Sequence, residues 1–289
     1  MIKSFQITDS KKIILLIIYF LLSLIIFFFL YHKTSVKLGE IWFILKDNIF
    51  LFLVSIFFSF LAFMLKVYRW SLFVRVFSIF KYNFFFLLNL SSISSILGSI
   101  GLNLVFSDGI KSGVLVFNQE GFKSKFLVFF SSYIDRIIGL LAAAVLALLF
   151  FYKSYIFFFI FLLIIGMFIF FYFSKNSIYR VLLFAFFISV FSQVIDSLAL
   201  YGFWVFVFNQ NITFFEWFVA FVVGSVTSVL SAFGGLGGRT IGMSLLLGQN
   251  NIKNIFIVDI LYYLLQVFSA LLGISIFLIY KYVFNSKKQ

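Results

Sequence analysis

The chain has no cysteine, no proline and one histidine, and charged residues fill only 11% of its 289 positions. Without cysteine there is no disulfide, no thiolate metal site and no cysteine nucleophile. His32 stands just beyond the first apolar run and reads as an interfacial side chain. A lone histidine cannot build a zinc site, which takes three or four ligands. A Gly-x4-Gly-Lys-Ser/Thr phosphate loop is also missing, so ATP-driven work of that kind is not expected. The scarcity of charge excludes the most. A soluble domain carries about a quarter charged residues and under half apolar ones. Here 64% are hydrophobic and the mean hydropathy is +1.19, which leaves too little polar side chain to cover a water-facing surface.

What is present is apolar sequence in long runs, at 13–30, 49–65, 84–106, 126–151, 155–173, 181–208, 214–232 and 255–280. A span needs about 20 apolar residues, so the composition predicts an all-α polytopic membrane bundle of about seven to nine segments. One membrane domain is expected over residues 1–289. Lys3, Lys11 and Lys12 precede the first run, and no small-residue cleavage site follows it. It reads as a retained span with a cytoplasmic N-terminus. Lys66, Arg69, Arg75 and Lys81, with no acidic residue among them, read as the clearest cytoplasmic loop. The net charge of +13 is spread over short connections. It therefore suits anionic lipid headgroups, or orientation alone, rather than nucleic acid. The 50 phenylalanines, beside an excess of lysine over arginine, match codon drift in an AT-rich genome and read as lipid-facing filler.

Polar groups interrupt these runs at chosen places. The run 84–106 carries Asn89, Ser91, Ser92, Ser94, Ser95, Gly98, Ser99, Gly101 and Asn103, dense enough to face protein or water. A re-entrant segment and tight small-residue packing both account for it. A polar loop is expected over 107–125, with Asp108 and Lys111 in it. Asp135 and Arg136 lie about 15 Å into their run, near the midplane of a core about 30 Å thick. Ser131, Ser132, Gly139, Ala142 and Ala143 accompany them at helical spacing. Asp196 has Ser189, Ser192 and Gln193 on its face, and the last run aligns Asp259, Tyr262, Tyr263, Gln266, Ser269, Ala270 and Gly273. Ionisable groups at such depth mark a pathway or site, or else a buried structural pair. Gly234, Gly235, Gly237 and Gly238 precede Arg239 and cannot form a stable helix interior, since each glycine costs about 1 kcal/mol relative to alanine. Two readings stand side by side: a broken helix whose N-terminus and Arg239 hold an anion, or a glycine face for close packing through Gly234, Gly238 and Gly242.

Arg69-Trp70, Asp108-x-x-Lys111, Asp135-Arg136-Ile137-Ile138-Gly139-Leu140, Gly234-Gly235-Leu236-Gly237-Gly238-Arg239 and Leu261-Tyr262-Tyr263 follow one another from about residue 50 onward. In order and spacing they resemble the flippase-like transmembrane domain of bacterial lysylphosphatidylglycerol synthases, a family that also occurs as stand-alone membrane proteins. This chain departs from the family pattern at Ser107 and Phe233, where proline is usual, at Lys111 for arginine and at Thr240 for glutamate. The resemblance implies a bundle with one or two re-entrant or broken helices around a polar cavity, in the bacterial plasma membrane, moving lipid between leaflets. No aminoacyl-transfer domain is expected in this chain, so no synthase activity.

On that basis Lys111, Arg136 and Arg239, with Gly234, Gly235, Gly237 and Gly238, are expected to bind a lipid phosphate. Asp108, Asp135, Asp196 and Gln266 are expected to balance charge or grip a cationic headgroup. Equal numbers of Lys/Arg and Asp in that set suit a zwitterionic or transiently bound anionic lipid, whether phospholipid or prenyl phosphate. No catalytic residue, metal or cofactor is expected. The alternatives are an intramembrane enzyme using one of these aspartates, and a non-catalytic or homo-oligomeric partner in envelope lipid or glycan synthesis.

Overall fold

In hydrocarbon a backbone N–H or C=O without an internal partner costs several kcal/mol, so long apolar runs lacking proline stay helical. The computed structural model describes residues 28–78, 80–100, 107–117, 119–151, 177–228 and 235–285, and among these the fold is all-α, with no strand. Its helices are α1 (Leu38–Asp47), α2 (Ile49–Phe77), α3 (Phe84–Ile100), α4 (Asp108–Phe117), α5 (Phe122–Phe151), α6 (Ser177–Gly202), α7 (Phe214–Thr227), α8 (Gly238–Leu247) and α9 (Ile252–Asn285). A π turn at Phe203–Val207 extends α6 and sets Trp204 against Trp217 of α7, ring centroids 5.1 Å apart.

Among the described residues, four helices are long and apolar enough to cross a membrane, over Ile49–Phe77, Phe122–Leu146, Ile178–Val207 and Gln249–Val283; Phe84–Ser99 and Phe214–Thr227 are shorter apolar helices. The protein is a multi-pass helical membrane protein. The expected run 155–173, and nearly all of 13–30, lie outside the described residues. Phe50, Phe57, Phe122, Phe191 and Phe206 are exposed on the outside of the bundle, the placement expected of lipid-facing filler.

Two expectations about connections change. The basic segment after residue 65 is not a loop, because α2 continues through Lys66 and Arg69 to Phe77. Val67, Trp70 and Val74 stay buried at helical spacing beyond Leu65, and that apolar face carries the helix on. Only Arg75 and Lys81 of the four basic residues remain near its end, so the charge bias that marked a cytoplasmic loop is halved. The polar stretch 107–125 is likewise mostly helix, since α4 occupies Asp108–Phe117.

The order of helix lengths repeats. A long helix, two short ones and a long helix run through α2–α5 at 29, 17, 10 and 30 residues, and again through α6–α9 at 26, 14, 10 and 34. The packing repeats with it, with partners exchanged. α3 lies on α9 and α7 on α5; α2 lies on α9 and α6 on α5; α4 lies on α5 and α8 on α9; and α2 packs directly on α6. Among the described helices, lengths and contacts thus repeat in two halves, which no sequence repeat announces because the likeness lies in lengths and contacts rather than side chains. The ten-residue helices α4 and α8 are about 15 Å long, half the thickness of a hydrocarbon core.

In the second repeat α7 and α8 form a close hairpin, and glycine sets their separation. A Cβ at Gly242 would lie 2.1 Å from Thr227 Oγ1 and 2.9 Å from Gly224 Cα. Thr227 Oγ1 in turn donates to the Gly238 carbonyl at 2.8 Å. Gly113, in the middle of α4, has nothing within 4 Å of the same position. Gly242→Ala is therefore expected to destabilise the fold by about 1–3 kcal/mol through overpacking. Gly113→Ala is expected to stabilise it by about 1 kcal/mol through helix propensity. Denaturant unfolding in detergent micelles, followed by far-UV circular dichroism, checks the opposite signs.

Candidate functional site

A charged side chain at membrane depth costs about 2.5–3.5 kcal/mol or more, so a helix that carries one must bring it to a partner. Arg69 of α2 donates from Nε to Asp135 Oδ1 at 2.5 Å and from Nη2 to Asp135 Oδ2 at 2.9 Å. This planar two-bond fork is the strongest form of the pair. The remaining nitrogen, Nη1, donates to Ser189 Oγ of α6 at 2.6 Å, so Arg69 joins three helices. Gly139, one turn past Asp135, makes room for it: a Cβ there would sit 3.1 Å from Arg69 Nη1.

One turn before Arg69, Lys66 donates to Asp196 of α6, whose Oδ2 also accepts from Tyr262 Oη at 2.9 Å. Asp135 and Arg136 do not pair with each other, because neighbours on a helix point about 100° apart. Arg136 turns instead to Asp108, at the first residue of α4, with Nε 2.6 Å from Oδ2. Lys111 Nζ lies 3.8 Å from the other oxygen of the same carboxylate and 5.6 Å from the ring centroid of Trp70.

These groups face one cavity of about 220 Å³ between α2, α3, α4, α5, α6 and α9. Lys66, Arg69, Lys111, Arg136, Asp108, Asp135 and Asp196 line it, and Ser59, Ser91, Ser95, Ser99, Ser269 and Gln266 supply hydroxyls and an amide. The volume is below the roughly 300–1,000 Å³ of pockets for drug-sized ligands, and suits a headgroup rather than a whole lipid. Of the expected site residues, Lys111, Arg136, Asp108, Asp135, Asp196 and Gln266 therefore meet at a shared void. Among the described residues no cluster of three or more histidines or carboxylates forms a metal site.

Arg239 and the glycines are elsewhere, and their expected role is corrected. Gly237, at φ +81°, is the residue before α8, a backbone state that a side chain would strain. Its N–H donates to Asp259 Oδ2 at 2.9 Å, and the N–H and Oγ1 of Thr240 donate to the same oxygen at 3.2 and 2.8 Å. Arg239 Nη1 donates to Asp259 Oδ1 at 2.7 Å, and its guanidinium lies 4.1 Å from the centroid of the Tyr262 ring. A helix N-terminus does hold an anion here, as the glycine-rich pattern predicts, but the anion is the chain's own carboxylate. Arg239 is 3% exposed, Asp259 is 0% exposed, and neither lines the cavity. Gly235 and Gly238 belong to this closed junction, where a Cβ at Gly235 would press on Ser228; Gly234 lies outside the described residues.

Lys66 and Arg69 are the site residues that sequence reasoning placed wrongly, by ending a span at Leu65. The apolar positions Val67, Trp70 and Val74, three and four apart, were the signal that the helix goes on. Their inclusion changes the charge of the site. Among the described residues, four cations (Lys66, Arg69, Lys111 and Arg136) face three carboxylates (Asp108, Asp135 and Asp196), so this lining carries one surplus positive charge rather than none.

No family model, curated protein or solved structure matches the chain. The cavity and its charges thus bear the weight of any statement about function.

Removing one partner of a buried pair strands a charge, whereas removing both leaves apolar surface. Arg69→Met and Asp135→Leu are each expected to cost about 3–5 kcal/mol of stability. The double variant Arg69→Met/Asp135→Leu is expected to recover most of that loss, since Ser189 Oγ keeps a partner in the Ala185 carbonyl at 2.8 Å. A double-mutant cycle on denaturant unfolding in micelles reads the coupling.

Proposed function

We propose that the protein translocates lipid between the leaflets of a bacterial plasma membrane, taking the polar headgroup into the cavity while the tails remain in the bilayer. The observation that carries this reading is a cavity, inside a bundle otherwise packed with apolar side chains, lined by seven charged groups with a positive excess. Structural pairing alone would call for equal numbers, because every unmatched charge at depth costs free energy. Lys111 and Arg136 share the single carboxylate of Asp108 and are the groups placed to hold a phosphate. Lys66–Asp196 and Arg69–Asp135 neutralise each other and tie α2 to α6 and α5 beside the cavity.

The internal repeat supports the same reading. Membrane transporters built from repeats hold their substrate near the midplane, where the repeats meet, beside discontinuous helices. Here Lys66 of α2 and Asp196 of α6, on the corresponding long helices of the two repeats, pair with each other at the cavity wall. The absence of a phosphate loop from the sequence leaves passive or ion-coupled movement.

Reconstitution into vesicles with fluorescent lipids tests this. Leaflet exchange is expected well above that of protein-free vesicles, and Lys111→Gln is expected to slow it about tenfold, the worth of one charge-assisted hydrogen bond. The unfolding midpoint of that variant should stay near that of the parent. Arg239→Gln should instead lower the midpoint, because it strands Asp259. Exchange no faster than in empty vesicles across several lipid classes overturns the proposal.

A further inference from the structure

The three carboxylates in the cavity are all engaged. Asp135 receives the Arg69 fork, Asp196 receives Lys66 and the Tyr262 hydroxyl, and Asp108 is ion-paired with Arg136, Lys111 behind it, although its Oδ2 makes no hydrogen bond. Each already has a cation beside it, and among the described lining residues one positive charge exceeds the carboxylates. A zwitterionic headgroup would leave the surplus positive charge unmatched, and a cationic one would add to it. A pyrophosphate would bring a second negative charge that the lining does not match.

Beside the charged residues, α3 contributes Ser91, Ser95 and Ser99 to the same cavity. Their spacing of four puts them on one helix face over about 12 Å. Ser91 is 1% exposed, and its Oγ has no hydrogen-bond partner. Most serines nearby satisfy themselves on their own helix: Ser92 donates to the Leu88 carbonyl, Ser94 to that of Ser91 and Ser99 to that of Ile96. A buried hydroxyl left unmade at a cavity wall is a vacancy for a polar ligand atom.

We infer that the ligand is a monoanionic phosphodiester whose far side carries hydroxyl groups and no amine. The inference rests on the reading of the cavity as a headgroup site. It differs from the aminoacylated, cationic lipid that the resembled family's name implies. The phosphate meets Lys111 and Arg136, and the polyol lies along Ser91, Ser95 and Ser99. A phosphatidyl polyol and a prenyl phosphosugar share this chemistry.

Native mass spectrometry of the purified chain, titrated with defined lipids, separates the cases. The probes are phosphatidylglycerol, prenyl phosphoglucose, phosphatidylethanol (the same charge without hydroxyls), phosphatidylethanolamine and lysyl-phosphatidylglycerol. One or both of the first two are expected to bind about tenfold more tightly than either amine-bearing lipid, and whichever binds better identifies the source. Ser91→Ala should narrow the gap between the preferred polyol lipid and phosphatidylethanol, leaving phosphatidylethanol unchanged. Lys111→Gln should narrow the gap between the polyol lipid and phosphatidylethanolamine. Equal binding of the amine-bearing lipids, or an unchanged polyol preference in Ser91→Ala, overturns the inference. Binding preference with no leaflet exchange would remove translocation and leave the inference standing. Exchange at equal rates for all five lipids would do the reverse.

Discussion

Arg69 reaches from the middle of α2 to a carboxylate on α5 and a hydroxyl on α6, and the interior is arranged around what that reach requires. An arginine in hydrocarbon must keep its partners, so the three helices are held at the distances its planar donors allow. A glycine at 139 admits the guanidinium, and Asp135 faces α2, which turns the neighbouring Arg136 toward α4. The polar cavity is what remains between these ties. It stays open because charged and hydroxyl-bearing walls cannot close on each other without leaving polar atoms unmatched.

The two repeats solve one problem with opposite outcomes. In each, the first turn of a half-length helix presents a charge that the next long helix answers. Asp108 of α4 is met by Arg136 of α5, and Arg239 of α8 is met by Asp259 of α9, with the signs exchanged. At α8 both oxygens of the carboxylate are taken, one by three donors and the other by the arginine, so the junction is closed and serves stability. At α4 the answer is in excess, because Lys111 and Arg136 both turn on Asp108 beside an open void. A repeat that has one closed junction and one over-supplied with cations contains a rigid half and a binding half.

Particular residues show how far the site was legible from the sequence. The depth of Asp135, Arg136 and Asp196 follows from counting along an apolar run, and all three lie at the cavity. The stripe of Asp259, Tyr262, Tyr263, Gln266, Ser269, Ala270 and Gly273 follows from helical spacing; Tyr263 and Gln266 are half-buried and the others buried. Arg239 followed the right principle to the wrong ligand. A glycine break and a following helix do attract an anion, but Asp259, twenty residues on, comes back opposite Arg239 once α8 and α9 fold as a hairpin. Lys66 and Arg69 were missed because basic residues past an apolar run resemble a cytoplasmic margin, and hydropathy cannot tell a snorkelling lysine from a buried one.

By itself the sequence determined that the protein is helical and in a membrane, and which positions carry polar groups at depth. Those properties are local: they depend on run length, hydropathy and the 3.6-residue turn. Among the described residues, tertiary structure alone decided which charge meets which, that α2 runs on through its basic residues, that helix lengths and contacts repeat in two halves, and that the cavity has one cation too many. Partnership between charges far apart in sequence depends on how helices cross, and a one-residue step along a helix swings a side chain by about 100°. No count along the chain contains that angle.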